Sequence, residues 1–172
     1  MFSIVSTRFN NSTWDENLKY RYENNITGCS YGAPYMMSPK ISLGSLVFVI
    51  EMNNSTNKIE GIGLVRNKAS LDKDYMIHTE RNYNRYCYHG KYRINRDEIE
   101  RANAQLISIF DYILFKEKTH LKRGIGFTTV PDKLLNHPKT NGLHLKNEIR
   151  ELFLQFFGSE QPESQDESEA KI

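Results

Sequence analysis

The sequence predicts a single α+β domain. Three observations lead there. Two β-rich segments flank a polar turn, two stretches of the C-terminal half show helical apolar periodicity, and 172 residues fall within the range of one ordinary core. Strands mixed with helices, rather than alternating regularly with them, point to a small curved sheet or β-barrel with flanking helices and a C-terminal helical extension.

FSIVST at 2–7 alternates apolar and small polar residues and reads as a half-buried strand. A polar loop follows, in which Ser12 or Thr13 is placed to cap a short helix running toward Arg21. ITGCSYGAP reads as a short strand entering a turn. The clearest signal is a hairpin: SLVFVIEM at 45–52, the turn formers NNSTN, and KIEGIGLV at 58–65. Gly61 and Gly63 fall on one face of the return strand, where glycine permits a bulge or the close approach of another backbone. Arg85 to Tyr88 and Lys91 to Ile94 read as strands around a turn at His89-Gly90.

Asn95 and Glu98 have capping-box spacing and open a helix whose apolar face is Ile99, Ala102, Leu106, Phe110, Ile113 and Leu114. GIGFTTV at 124–130 reads as another strand, and Pro131 starts a helical turn. Leu145 to Phe157 forms the last helix, with Ile149, Leu152, Phe153 and Phe156 inward and Gly158 as its stop. The domain is expected to span 1–158. The stretch 159–172 is acidic and poor in apolar residues, so it is expected to be a disordered tail.

Net charge is +2, but the tail carries five acids and one base. Without it, 22 basic and 16 acidic residues leave a body of +6. That balance suits a nucleic-acid partner without requiring one. Two cysteines, Cys29 and Cys87, are expected to be free thiols in an intracellular chain. The start lacks the charge and apolar centre of a signal peptide, and no apolar run is long enough for a membrane span. These readings place the protein inside the cell, cytoplasmic or nuclear, and off the membrane.

No P-loop, dinucleotide fingerprint, H-E-x-x-H, C-x-x-C or G-x-S-x-G occurs, so no catalytic residue, cofactor or metal is nominated. Cys87-Tyr88-His89 offers two metal ligands at most. The densest binding candidate is RNYNRYCYHGKYR at 81–93, where Arg81, Arg85, Lys91 and Arg93 interleave with tyrosines including Tyr86. Such a strand can hold phosphates while an aromatic stacks on a base; it can equally be an amphipathic strand with solvated charges. Lys122 and Arg123 end a second basic cluster, open to phosphate contact or to plain solvation. Trp14 is either a core plug or the stacking wall of a base pocket. Asn53 and Asn54 are turn formers.

VFVIEMNNSTNKIEGIGLV, the opening FSIVST, ITGCSYGAP and YCYHGKYRI resemble, over about residues 1–100, the core of the PUA-like superfamily, which includes the EVE, ASCH and YTH domains. The EMNN, NKIEGIG and YNRY segments are also similar to proteins of large DNA viruses, which would put the chain in host cytoplasm or a virion. The superfamily resemblance implies a small barrel that takes a base, often a modified one, into a pocket. Carried over, Thr7 and Arg8 would contact the base, Cys29, Ser30 and Tyr31 would form a wall, and Asn53 or Asn54 would stand at the rim. The family's cage tryptophans and its Gly-Asp before the central strand have no counterpart here, where Gly44-Ser45 stands instead, so a methylated base is not implied. The expectation is a non-catalytic nucleic-acid-binding module with RNA favoured over DNA. A subunit docking a protein through the Leu145–Phe157 helix and a nucleic-acid-modifying enzyme with an unfamiliar site are the alternatives.

Overall fold

A computed structural model describes residues 2–159; the expected acidic tail, apart from Ser159, lies outside the described residues. The architecture is α+β. Among the described residues seven strands and five α-helices run in the order β1 (Phe2–Phe9), α1 (Asn11–Glu23), β2 (Cys29–Ala33), β3 (Leu46–Asn53), β4 (Lys58–Arg66), β5 (Tyr86–Gly90), β6 (Tyr92–Asn95), α2 (Arg96–Ala102), α3 (Ala104–Phe115), β7 (Thr128–Thr129), α4 (Asp132–Leu135) and α5 (Leu145–Phe157).

The main sheet has strand order β6-β4-β3-β1-β7, and β2 and β5 form a separate two-stranded sheet. The main sheet is open, so of the two forms expected it is the sheet and not the barrel. Apolar alternation places a core on each face. Ile4, Phe48, Ile50, Met52, Ile62 and Ile94 pack under α2, α3 and α5. Val5, Phe9, Val47, Val49 and Val65 face β2, β5 and α1 with Trp14, Tyr31 and Tyr88. The sheet is therefore the middle of three layers, which is why β3 is buried along nearly its whole length.

The hairpin forms as expected, with β3 and β4 antiparallel and a register shift between Glu51 and Met52. The shift is the bulge, and the close backbone approach falls at Gly61, where a Cβ would stand 2.7 Å from the Ile94 carbonyl oxygen; at Gly63 side chains close in instead, since a Cβ would overlap the Tyr31 hydroxyl and come within 2.7 Å of Cys29 Sγ.

Four local expectations change. Asn10, not Ser12 or Thr13, caps α1; Thr13 instead closes the capping box back onto Asn10. His89-Gly90 is not the turn but the end of β5, which pairs with β2, while β6 pairs with β4, so the chain changes sheets at Lys91. The helix from Asn95 breaks at Asn103, whose backbone is non-helical (φ −157°, ψ 81°) and whose side chain accepts from Leu106 N–H, starting α3 afresh. Of 124–130 only Thr128–Thr129 is strand, because Gly124 and Gly126 have φ of +116° and +74°.

Candidate functional site

The site lies where β1 outruns its neighbour. Antiparallel pairing with β7 ends at Ser6, while the parallel ladder with β3 continues to Phe9. Phe9 carbonyl accepts from Asn54 N–H at 2.7 Å, so Phe9 bonds toward β3. Bonding side alternates along a parallel strand, and the backbone of Arg8 therefore faces the open edge. A cavity of about 220 Å³ occupies that edge. Its walls are Thr7, Arg8 and Phe9 from β1, Asn10 and Thr13 from the start of α1, and Gly32 and Pro34 from the end of β2. Asn54 of the hairpin turn, His78, Tyr83 and the Gly124-Ile125-Gly126 loop complete it.

Arg8 builds one wall. Its Nε donates to Gly124 carbonyl at 3.1 Å, Nη2 to Gly126 carbonyl at 2.7 Å, and Nη1 to Leu121 carbonyl at 3.2 Å and Ser6 Oγ at 3.4 Å. Burial holds the guanidinium below its ordinary value. Three of the group's five N–H groups thus tie residues 121–126 to β1, and a fourth reaches Ser6. Asn54 ties the same loop from the other side, its Nδ2 donating to Lys122 carbonyl at 2.8 Å. Asn54 Oδ1 is left buried without a hydrogen-bond partner.

The opposite wall is aromatic. The His78 ring lies 6.4 Å from that of Phe9 and 6.1 Å from Tyr83, edge to face with the latter. His78 Nδ1 is 3.0 Å from Glu16 Oε1 on α1, and Glu16 Oε2 accepts from Thr79 N–H at 2.8 Å. Burial raises the Glu16 carboxyl, but the bonds from Thr79 and His78 outweigh it and hold the group below its usual value. An ionised carboxylate only accepts, so Nδ1 carries the proton and, in the neutral ring, Nε2 is an acceptor. The Cδ2 edge beside Nε2 lies toward Gly32, a residue of the cavity. Asn84 fixes the backbone here, accepting from His78 N–H and donating to its carbonyl.

The residues singled out from the sequence divide into three sets. Thr7, Arg8 and Asn54 line the cavity. Arg81 and Arg85 are exposed on or beside the 3₁₀ turn Arg81–Asn84 that carries Tyr83, and they line an adjoining open groove of about 740 Å³ with Lys73 and Tyr75. Lys122 and the exposed Arg123 lead directly into Gly124 on the other flank. Lys91 lies at the change of sheet with its ammonium over Tyr92, and Tyr86 is half-buried against the second core beneath Arg85.

The third set is interior. Cys29, Ser30 and Tyr31 are at most 1% exposed, so they stand behind Gly32 and not at a ligand wall. Trp14 is the core plug, packed on Phe9 at 5.1 Å, with the guanidinium groups of Arg21 and Arg93 each 5.5 Å from its ring centroid. Arg93 is no phosphate contact, because it forms a two-pronged pair with the buried Glu51, which also accepts from Tyr31 at 2.7 Å. Asn53 is buried, donating to Asn11 and Glu60 and accepting from Ser55 N–H. The Phe-rich face of α5 is also occupied: Phe153 packs edge-on against Phe48 and Phe157 against Tyr92, while Phe156, expected on the inner face, is exposed with Leu154.

Sequence reasoning passed over Phe9, Glu16 and the 124–126 loop; it counted Tyr83 only as one of the tyrosines of 81–93, and nothing in the sequence singled out His78 from the other histidines. His78 and Tyr83 lie in a segment without periodicity, and the close-set glycines at 124 and 126 were the one local sign of a shaped loop. Among the described residues no cluster of three or more His, Cys, Asp or Glu is placed to hold a metal, and no helix is long and apolar enough to cross a membrane. No family model, curated protein or solved structure matches the chain.

Proposed function

We propose that this chain is a nucleic-acid-binding module that takes one base of a single strand, RNA in preference to DNA, into the cavity at the end of β1. The observation that carries the reading is convergence. A small cavity with one aromatic wall and one wall built on Arg8 is flanked by two basic segments, Arg81 to Arg85 and Lys122-Arg123. Planar bases suit such walls, and phosphates on either side suit the cations. The exposed Ile125 and the part-exposed Tyr83 at the rim offer further surface to neighbouring bases. The resemblance to PUA-like domains, whose base pocket also uses the end of the first strand and the central hairpin, supports the same reading.

Titration of Trp14 emission with short single- and double-stranded RNA and DNA at two salt concentrations tests it. Trp14 packs on Phe9, a wall of the cavity, so occupancy is expected to change its emission. Salt-sensitive quenching by single-stranded RNA is the expected result. No response to any of the four, matched by no retention on a nucleic-acid column, would sink the reading.

One observation favours a second reading, a nucleic-acid-modifying enzyme. His78 backed by Glu16 at 3.0 Å is the arrangement of an oriented general base. Mass spectrometry of oligonucleotides after prolonged incubation tests it, and unaltered masses would remove it.

A further inference from the structure

We infer that Lys116 and Lys139, converging on the ring of Tyr112, form a phosphate-binding site beside the exposed face of α3. The site is separate from the cavity at the end of β1 and does not depend on the base-binding reading.

Helical spacing sets the face. Gln105, Ser108 and Tyr112 are three and four positions apart and share one side of α3, while Leu106, Phe110, Ile113 and Leu114 turn into the core. Beside that side the 3₁₀ turn Pro138–Thr140 brings in Lys139, and together they line a cavity of about 440 Å³. Lys139 Nζ lies 4.7 Å and Lys116 Nζ 5.5 Å from the Tyr112 ring centroid, and both lysines line that cavity. The ring is held in place, its hydroxyl donating to Glu117 Oε1 at 2.7 Å. His137 Nδ1 accepts from Lys139 N–H at 3.0 Å, so the neutral imidazole carries its proton on Nε2, 3.0 Å from Glu117 Oε2. Glu117 thus fastens the turn that carries Lys139 to the end of α3.

The carboxylates here are engaged and the ammoniums are not. Asp111, the one acid of the lining, accepts from both terminal nitrogens of Arg96 and from Ile59 N–H. Glu117 accepts from Tyr112 and His137. Among the described residues neither Lys116 nor Lys139 pairs with a carboxylate. Lys116 ends α3 and complements that helix's dipole, but Lys139 belongs to another segment and has no such reason to be there. Two like charges drawn to one ring repel, and the pull of a partly exposed tyrosine on each is weak. An anion between them removes the repulsion and accepts charge-assisted hydrogen bonds from both. The exposed Ser108 hydroxyl and Gln105 amide add neutral donors to the same cavity. Phosphate, with more charge and more acceptor oxygens than a carboxylate, suits that set best. A base does not, because the ammoniums already lie over the ring it would stack on.

The probe is inorganic phosphate, titrated into the nitrogen-15-labelled full chain at neutral pH and followed by amide spectra. Saturable shifts are expected at Ser108, Tyr112, Lys116 and Lys139, which sodium chloride of equal ionic strength does not reproduce. Lys116→Gln combined with Lys139→Gln is expected to weaken phosphate binding by about tenfold or more, and the paired change to arginine to retain it. The same spectra check the fold of both variants. Shifts no larger with phosphate than with chloride, or undiminished binding in the glutamine variant, overturn the site. A single-stranded RNA nonamer then separates two sources of the group. Displacement of phosphate by the nonamer, with RNA affinity lowered in the glutamine variant, supports a site for backbone phosphates. A nonamer that binds without moving these four signals supports a site for free phosphate or a small phosphorylated molecule. A nonamer that does not bind at all sinks the base-binding reading alone, and the phosphate titration still decides the site.

Discussion

Arg93 of β6 and Glu51 of β3 meet beneath the two-stranded sheet, Nε to Oε1 at 2.8 Å and Nη2 to Oε2 at 2.6 Å. They reach each other across β4 because Gly61 carries no side chain; a Cβ there would stand 2.7 Å from Arg93 Nη2 and 3.0 Å from Glu51 Oε2. Burial alone would lower the Arg93 guanidinium, yet the Glu51 carboxylate holds it above its ordinary value. Removing one partner leaves an uncompensated buried charge. Arg93→Ala or Glu51→Ala is therefore expected to lower unfolding free energy by about 3–5 kcal/mol, and the double change to methionines by less. Urea denaturation of the three variants measures this; single changes as mild as the double would contradict it.

Gly63→Ala is expected to destabilise by about 1–3 kcal/mol, since the new methyl group meets the Tyr31 hydroxyl and Cys29 Sγ in a filled core. Thermal unfolding reads the shift. An unchanged midpoint would mean that β2 is packed less closely on β4 than described.

Both thiols are expected to be inert in the folded protein. Burial, reinforced by Glu51, pushes Cys29 up to about 12, and burial pushes Cys87 up to about 11. Only the thiolate attacks, so an aromatic disulfide reagent at pH 8 should label neither before unfolding and both after. The same shifts carry a sign for stability. Above the ordinary thiol value of 9.0 the unfolded chain has lost protons that the folded chain retains, so stability falls as pH rises from about 9 toward 11 and 12. Denaturation midpoints rising across that range would oppose the assignment.

Arg8→Ala is expected to free the 121–126 loop without unfolding the sheet, because four hydrogen bonds of its guanidinium hold that loop and its neighbour Ser6. Hydrogen exchange should quicken at residues 121–126 while β3 stays protected. Uniform acceleration through β3 would instead mark Arg8 as part of the global core.

Replacing Arg81 and Arg85 with alanine is expected to weaken binding of single-stranded RNA and to flatten its salt dependence. Each lost phosphate contact should reduce the slope of log affinity against log salt by about 0.7. Arg93 is excluded from this pair because it is paired internally with Glu51. An unchanged slope would move the strand away from the 3₁₀ turn.

Much of the fold was readable because it depends on local pattern. The hairpin followed from β-branched runs around Asn-rich turn residues, and α5 from an apolar stripe that matches its observed bounds. Asn95 and Glu98 formed the capping box that their spacing announced. Gly61 and Gly63 signalled a close approach before its partner was known. The errors came where two local rules competed. At Asn103 the side chain preferred to cap a new helix over continuing the old one, and at 124–126 positive φ overrode a strand-like composition.

The sequence by itself determined the element types, the two-faced strands and the residues with chemistry to offer, because period and turn chemistry act over a few neighbours. The tertiary structure alone decided which of those residues are available. Arg93 and Arg85 belong to one basic-aromatic stretch, yet strand register puts the first against Glu51 and leaves the second in solvent. His78 and Asn54 are 24 positions apart and line one cavity only because β1 outlasts β7 and leaves an edge that distant segments close. Partner choice among buried charges and acceptors is a long-range property of the packed sheet, and no short stretch of chain encodes it.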